Sequence, residues 1–174
     1  MSIAVVVGNP KIGSRTLGAG LDVAALLAPA IYGGVAPDPD VVELAPLGPK
    51  LFGWGDDDVA AAKATVLAAD LLIVASPTYK AAPTGLLKAF LDQFDRDELA
   101  GRATVPVMVG AAPVHALAVE TLLRPVLIEI GASCPTRGVF LLESQLGDVP
   151  AALAGWLPVN LTPLAAVVRA HTTG

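Results

Sequence analysis

The chain has 174 residues, of which 54% are apolar and only 16% are charged, and it carries a net charge of −5 at pH 7. This length suits a single domain, predicted over residues 1–174, with a full hydrophobic core. The acidic balance and the absence of any lysine-arginine cluster argue against nucleic acid as a partner, because binding to the phosphate backbone needs a positive footprint.

The composition also bears on the cellular location of the protein and on the kinds of metal site that it could form. The longest apolar-rich stretch, 114–132, is interrupted by charged residues and a proline, so no membrane span is predicted. No signal peptide is evident, and a cytoplasmic location is expected. Cys134 is the only cysteine, and His115 and His171 are the only histidines. These counts exclude a disulfide framework and a metal site rich in cysteine or histidine.

The first predicted strand, 3–7, is a short β-branched run that ends at glycine. In the loop that follows, Gly8 and Gly13 allow tight turns and the close approach of a ligand. Ser14, Arg15 and Thr16 then stand at a helix start, where hydroxyl groups, N–H groups and a guanidinium fork together favour a phosphate. Taken alone, the stretch also fits a plain strand-to-helix turn with a solvated arginine.

Neither common nucleotide motif fits this loop. Gly8 and Gly13 have the spacing of a Walker A loop, but Ser14-Arg15 follows where Lys-Ser or Lys-Thr is required. Pro10 breaks the Gly-x-Gly-x-x-Gly pattern of dinucleotide-binding folds. What remains is a monophosphate cradle after the first strand of an α/β protein.

The rest of the chain alternates strands and helices. Further strands are predicted at 41–44, 70–75, 104–110 and 136–142, helices at 16–28, 59–69, 82–95, 116–130 and 161–170, and irregular segments at 32–40 and 46–54. Pro29 is expected to end the first helix, and the aspartates 56–58 to begin the second, because carboxylates are favoured at a helix N-terminus. The segment 76–80 is expected to break the third strand as a second ligand loop, and 111–115 forms a third.

Five strands that alternate with helices through short loops predict an α/β fold with a doubly wound parallel sheet. The three candidate ligand loops follow strands one, three and four, all at the carboxyl edge of that sheet. In the flavodoxin-like strand order 2-1-3-4-5 these strands are neighbours, and FMN binds in the crevice beside strand one. The pattern therefore predicts a single pocket at this edge.

Three stretches resemble the NAD(P)H-dependent FMN reductases, and within that family the reductases of two-component alkanesulfonate monooxygenase systems. They are 8–16, 115–127 and, most specific of the three, 76–92; Gly138-Val139-Phe140 fits as well. The resemblance runs from residue 3 to about residue 145. It implies that NADPH or NADH reduces FMN, with a flavin-dependent monooxygenase as a partner. Apolar helix stripes favour a homodimer or homotetramer.

The resemblance also assigns the flavin to the three loops. Residues 14–16 would hold the FMN phosphate, 77–80 would line the ribityl chain and ring, and 110–115 would meet the pyrimidine end. Backbone donors there would stabilise the charge of the reduced flavin, so no catalytic acid, base or metal is expected. The cofactor-binding residues implied are Gly8, Asn9, Pro10, Ser14, Arg15, Thr16, Pro77, Thr78, Tyr79, Lys80, Gly110, Ala111, Ala112 and His115.

Two positions depart from the family pattern. Ala111-Ala112 follows Gly110 where the family has Gly-Ser or Gly-Thr, and Thr121 replaces an aromatic residue of the sulfonate-type reductases. The first departure removes a hydroxyl donor and adds a methyl group near the flavin. The second is expected to affect subunit contacts and flavin retention. Three other functions stay open: a quinone or azo reductase with tightly bound FMN, a flavodoxin-type electron carrier, and an interaction protein that has lost its flavin. Candidates to meet the 2′-phosphate of NADPH are Lys11, Arg15 and Lys80.

Overall fold

A five-stranded parallel sheet forms the centre of the computed structural model, which describes residues 2–34 and 37–172. Its strands are β1 (Ile3–Val7), β2 (Asp40–Glu43), β3 (Leu71–Pro77), β4 (Ala103–Gly110) and β5 (Val139–Leu142). They lie in the order β2-β1-β3-β4-β5, so the predicted flavodoxin-like topology is confirmed. Residues 35 and 36 of the predicted loop 32–40 lie outside the described residues.

Helices cover both faces of this sheet. They are α1 (Arg15–Tyr32), α2 (Asp57–Ala68), α3 (Gly85–Leu91), α4 (Arg124–Glu129), α5 (Val149–Leu153) and α6 (Leu157–Thr172). Val5 and Ile73 face the cluster formed with α1, α5 and α6, whereas Val6 and Val74 face the cluster formed with α2 and α3. Because both faces are covered, β1 and residues 71–75 of β3 are apolar throughout. Within the described residues, no helix has the length and apolarity needed to cross a bilayer.

The prediction that Pro29 ends α1 is wrong. The helix continues to Tyr32 and ends at Gly33, whose left-handed conformation (φ 71°) places its N–H 3.0 Å from the Pro29 carbonyl oxygen. The missing proline N–H would have bonded to the carbonyl of Ala25, an exposed residue that water can reach. A proline in the last turn is therefore tolerated here. The prediction for α2 holds, since Asp56 caps that helix.

The elements between residues 70 and 95 also differ from prediction. β3 runs on through Ser76 and Pro77 because these residues pair with Met108 and Val109 of β4. α3 begins at Gly85, because the Oγ1 of the preceding residue accepts a hydrogen bond from the first-turn N–H of the helix. After Leu91 the chain tightens into turns, which pack the Phe94 ring edge-on against Phe90 at 5.3 Å between centroids.

The predicted helix 116–130 is interrupted. A 3₁₀ turn at Pro113–His115 precedes a π-helical turn at Val119–Leu123, and only then does α4 begin. Pro125 explains the change of register, because it cannot donate the α-helical hydrogen bond to the carbonyl of Thr121. Thr121 is exposed in the π-helical turn, and its Oγ1 donates to the Leu117 carbonyl at 2.9 Å.

Glu120 and Arg124 join this helical segment to the start of β5. The Glu120 carboxylate accepts hydrogen bonds from Arg124 Nε and from the Gly138 N–H, both at 2.5 Å. Arg124 also donates to the carbonyls of Cys134 and Thr136. The Arg124 hydrogen bond lowers the pKa of Glu120, although partial burial opposes it. Burial raises the pKa of the Cys134 thiol to about 11, which leaves it a poor nucleophile.

We expect Glu120→Gln to lower the free energy of unfolding by about 2 kcal/mol near neutral pH, because it weakens charge-assisted hydrogen bonds. The folded-state pKa of Glu120 lies below its unfolded value of about 4.3. The stabilisation is therefore fully present above that unfolded value and is lost as pH falls through the folded pKa. Urea denaturation near neutral pH and at about pH 3 should show the mutational difference shrinking in acid. An equal difference at both pH values would contradict this account.

Candidate functional site

A cleft of about 310 Å³ opens at the carboxyl edge of the sheet, among the loops that follow β1, β3 and β4. This volume is in the range of small-molecule pockets. The cleft is lined by Asn9, Lys11, Ser14, Arg15, Thr16, Pro77, Thr78, Tyr79, Val109, Gly110, Ala111 and Glu143. Two hollows of about 420 Å³, one between α3 and α4 and one beside Trp54, contain none of the predicted site residues.

The N-terminus of α1 points into the cleft. Ser14 caps the helix, and its Oγ accepts a hydrogen bond from the Leu17 N–H at 3.3 Å. Arg15 and Thr16 come next, and their N–H groups have no acceptor within the helix. Both residues line the cleft. The helix dipole and these N–H groups therefore favour an anion at this place.

Two sets of hydrogen bonds fix the shape of the loop between β1 and α1. Asn9 donates from Nδ2 to Thr16 Oγ1 and accepts at Oδ1 from the Lys11 N–H, both at 2.9 Å. Gly13 donates its N–H to the carboxylate of Glu43, at 2.9 and 3.2 Å from the two oxygens. Gly13 has a left-handed backbone (φ 62°), a conformation that favours glycine. The loop is thus held before any ligand arrives.

Arg15 reaches across the cleft to Glu143, which follows β5. Arg15 Nη2 lies 2.9 Å from Glu143 Oε2, and the side chains are 69% and 44% exposed. An ion pair this exposed contributes only about 0–1 kcal/mol to stability. The ion pair matters for ligand binding instead, because the Glu143 carboxylate already pairs with Arg15, the residue that was predicted to bind the phosphate.

Thr84 fastens the loop after β3 to the end of β1. Its Oγ1 donates to the Gly8 carbonyl at 2.5 Å, and its N–H donates to Ser76 Oγ at 3.1 Å. Gly8 is buried and does not line the cleft, and a Cβ there would lie 2.5 Å from Leu87 Cβ. In the structure this glycine allows α3 to pack closely against β1, whereas the sequence suggested close approach of a ligand.

Thr78 has a hydroxyl group that suits a ligand. Its Oγ1 is buried, lies on a residue that lines the cleft, and has no hydrogen-bond partner among the described residues. A buried hydroxyl without a partner costs about 1–3 kcal/mol, so a polar ligand atom here would relieve that cost. A Cβ on Gly110 would lie 3.1 Å from this oxygen and 2.7 Å from the Phe140 ring. Glycine at 110 therefore keeps the space around Thr78 open.

A strained turn follows Thr78. Tyr79 and Ala82 exchange backbone hydrogen bonds at 2.9 and 3.1 Å around Lys80 and Ala81, whose φ angles are 50° and 64°. Turns of this kind favour Asn-Gly, and each non-glycine residue in a disfavoured conformation costs about 1–3 kcal/mol. The turn places Tyr79, half exposed, at the wall of the cleft.

We expect Ala81→Gly to raise the free energy of unfolding by about 0.5–1 kcal/mol, because glycine adopts a positive φ without strain. Ala82→Gly is the matched control. Ala82 has no positive φ, so the added freedom of its unfolded chain should lower stability. Urea denaturation of both variants measures these two changes in the free energy of unfolding. An Ala81→Gly protein that is less stable than the wild type would show that the turn is unstrained.

The structure brings together most of the predicted cofactor residues but not all of them. Those that line the cleft are Asn9, Ser14, Arg15, Thr16, Pro77, Thr78, Tyr79, Gly110 and Ala111. Those that do not are Gly8, Pro10, Lys80, Ala112 and His115. Val109 and Glu143 line the cleft without having been predicted, and Lys11 was predicted only as a candidate for the 2′-phosphate of NADPH. Within the described residues, no cluster of three acidic, histidine or cysteine side chains could hold a metal.

A family model described as NADPH-dependent FMN reductase matches residues 1–147. The chain belongs to this family. An FMN reductase (NADPH) of Escherichia coli (strain K12) is 44% identical over 80 residues, which cover 46% of this chain and 42% of the relative. The chain spans about half the length of the curated FMN reductases that it matches.

Solved structures support the same assignment over a longer span. An NADH:FMN oxidoreductase (EMOB) in its apo form is 29% identical, with a TM-score of 0.71 over 98% of this chain and 87% of that chain. An oxidoreductase from Corynebacterium diphtheriae is 26% identical, with a TM-score of 0.78 over 97% of each chain. Membership of the FMN reductase family, predicted from the three loop stretches, is thereby confirmed.

Proposed function

We propose that this chain is a reductase that uses NADPH or NADH to reduce FMN. One observation supports the proposal above all. The α1 N-terminus, Arg15 and the unpartnered Thr78 hydroxyl meet in one cleft, at the edge of the sheet where this family's fold binds its flavin. The reaction converts NAD(P)H, FMN and a proton into NAD(P)⁺ and reduced FMN.

The cleft has groups suited to each part of FMN. Ser14, Arg15 and the first-turn N–H groups of α1 offer the phosphate hydrogen bonds and positive charge. Thr78 Oγ1 offers a buried hydroxyl, and Tyr79 presents an aromatic surface at the wall. The flavin supplies the redox chemistry, and the protein binds and orients the reactants. No side chain is required as an acid or base.

Anaerobic assays with purified protein test this function. We expect NADPH or NADH to be oxidised only when FMN is added, with a rate that saturates in FMN and an equal amount of flavin losing its yellow colour. Failure to oxidise either nucleotide in the presence of FMN would refute the proposal. Protein that retains one FMN per chain through purification and reduces quinones, but not added flavin, would instead establish the quinone reductase alternative.

We further propose a homo-oligomer that passes reduced flavin to a monooxygenase in the cytoplasm, where NAD(P)H is available. The segment from the third ligand loop through α4 supports self-association, because it exposes Val114, Leu117, Leu122 and Ile128, at 79%, 72%, 44% and 52%. Light scattering should give two or four times the chain mass of 17.6 kDa. A monomeric mass at working concentration would refute the oligomer.

A further inference from the structure

Cations and carboxylates balance around the loop that was expected to bind phosphate. Lys11 and Arg15 carry the positive charge, and Glu43 and Glu143 carry an equal negative charge. Glu43 already accepts the Gly13 N–H, and Glu143 already accepts a hydrogen bond from the Arg15 guanidinium. The Gly13 N–H and the Arg15 guanidinium are the donor groups that an incoming phosphate would use. The two carboxylates therefore reduce, without abolishing, the attraction that these cations and the N–H groups of the loop exert on a phosphate dianion.

Glu143 lies where it competes with a ligand phosphate. It follows β5 and lines the same cleft as Arg15, Ser14 and Thr16, with its Oε2 2.9 Å from Arg15 Nη2. Its side chain is 44% exposed, and its only hydrogen bond among the described residues is the one to Arg15. A carboxylate this exposed, held by one side-chain hydrogen bond, is able to release the guanidinium.

We propose that Glu143 sets the affinity for FMN by competing with the flavin phosphate for Arg15. Arg15 exchanges the Glu143 carboxylate for the phosphate when FMN binds, and returns to Glu143 when reduced flavin leaves. Glu143 is thus a positioning residue that acts through Arg15 and keeps the flavin exchangeable. This inference rests on the proposed function, because it concerns the ligand named there.

Glu143→Gln tests the competition, because it removes the charge and keeps the shape. We expect FMN to bind about tenfold more tightly to this variant, with less gain at high salt. Riboflavin, which has no phosphate, should bind with unchanged affinity. Titration of flavin fluorescence measures both ligands. Asp57→Asn, which removes a carboxylate charge at the exposed start of α2 and outside the cleft, should change the affinity for neither flavin.

Steady-state kinetics give a second readout that a merely structural role would not produce. If flavin release limits turnover, Glu143→Gln should lower both KM for FMN and kcat, since tighter binding slows release. FMN affinity that is unchanged or weaker in Glu143→Gln would overturn the inference while leaving the function intact, provided that the wild type binds FMN and oxidises NAD(P)H. A wild type that does neither would overturn the proposed function itself.

Discussion

Replacing Arg15 with alanine is expected to weaken FMN binding about fiftyfold, a change of about 2.3 kcal/mol. A charge-assisted hydrogen bond from guanidinium to phosphate accounts for about 1.5–3 kcal/mol of binding free energy. The substitution also leaves the Glu143 carboxylate beside the phosphate without its cation. The fold should stay intact, because the Arg15 side chain is exposed and its ion pair adds little stability.

Fluorescence titration with FMN and with riboflavin distinguishes loss of phosphate binding from general damage. Only FMN should lose affinity in Arg15→Ala. Arg15→Lys keeps the charge but not the planar fork, and an intermediate loss is expected. Arg96→Ala, a matched change at an exposed arginine after α3, should have no effect. Unchanged FMN affinity in Arg15→Ala would remove Arg15 from the site.

Gly8→Ala is expected to lower the free energy of unfolding by about 3 kcal/mol, at the upper end of the cost of overpacking a core. The new Cβ would lie 2.5 Å from Leu87 Cβ. That atom is fixed to the backbone of α3, so relief requires α3 to move away from β1. Such movement would also disturb the hydrogen bond from Thr84 Oγ1 to the Gly8 carbonyl.

Gly18→Ala is the matched control, because it makes the same substitution in α1 where a Cβ would meet nothing within 4 Å. Alanine has the higher helix propensity, so this variant should gain about 0.5–1 kcal/mol. Urea denaturation of the two variants should therefore give shifts of opposite sign. A Gly8→Ala protein as stable as the wild type would show that β1 and α3 are less tightly packed than the structure indicates.

The fold could be predicted from the sequence because its strands are covered on both faces. β1 and residues 71–75 of β3 are continuous apolar runs, and a parallel sheet is the arrangement that buries such runs completely. Element ends were less predictable, because they depend on tertiary contacts. Ser76 and Pro77 extend β3 only because β4 lies beside them, and the start of α3 depends on the Thr84 cap.

The sequence predicted where the candidate site lies more accurately than it predicted which residues line it. The loops after β1, β3 and β4 meet because the carboxyl ends of parallel strands share one edge. Glu143 follows β5 at that same edge, but it is 128 residues from Arg15 and belongs to none of the stretches that resembled the family. The role of Gly8 was missed because nothing local shows how closely α3 approaches β1.

The measurement that tests the central claim most directly is the equilibrium binding of FMN and riboflavin to the wild-type protein, by dialysis of each flavin. The cleft, with the α1 N-terminus and Arg15 at one end, predicts one reversible FMN site per chain and distinctly weaker binding of riboflavin. Equal affinity for the two flavins would contradict a phosphate cradle. No binding of either would show that the cleft is not a flavin site.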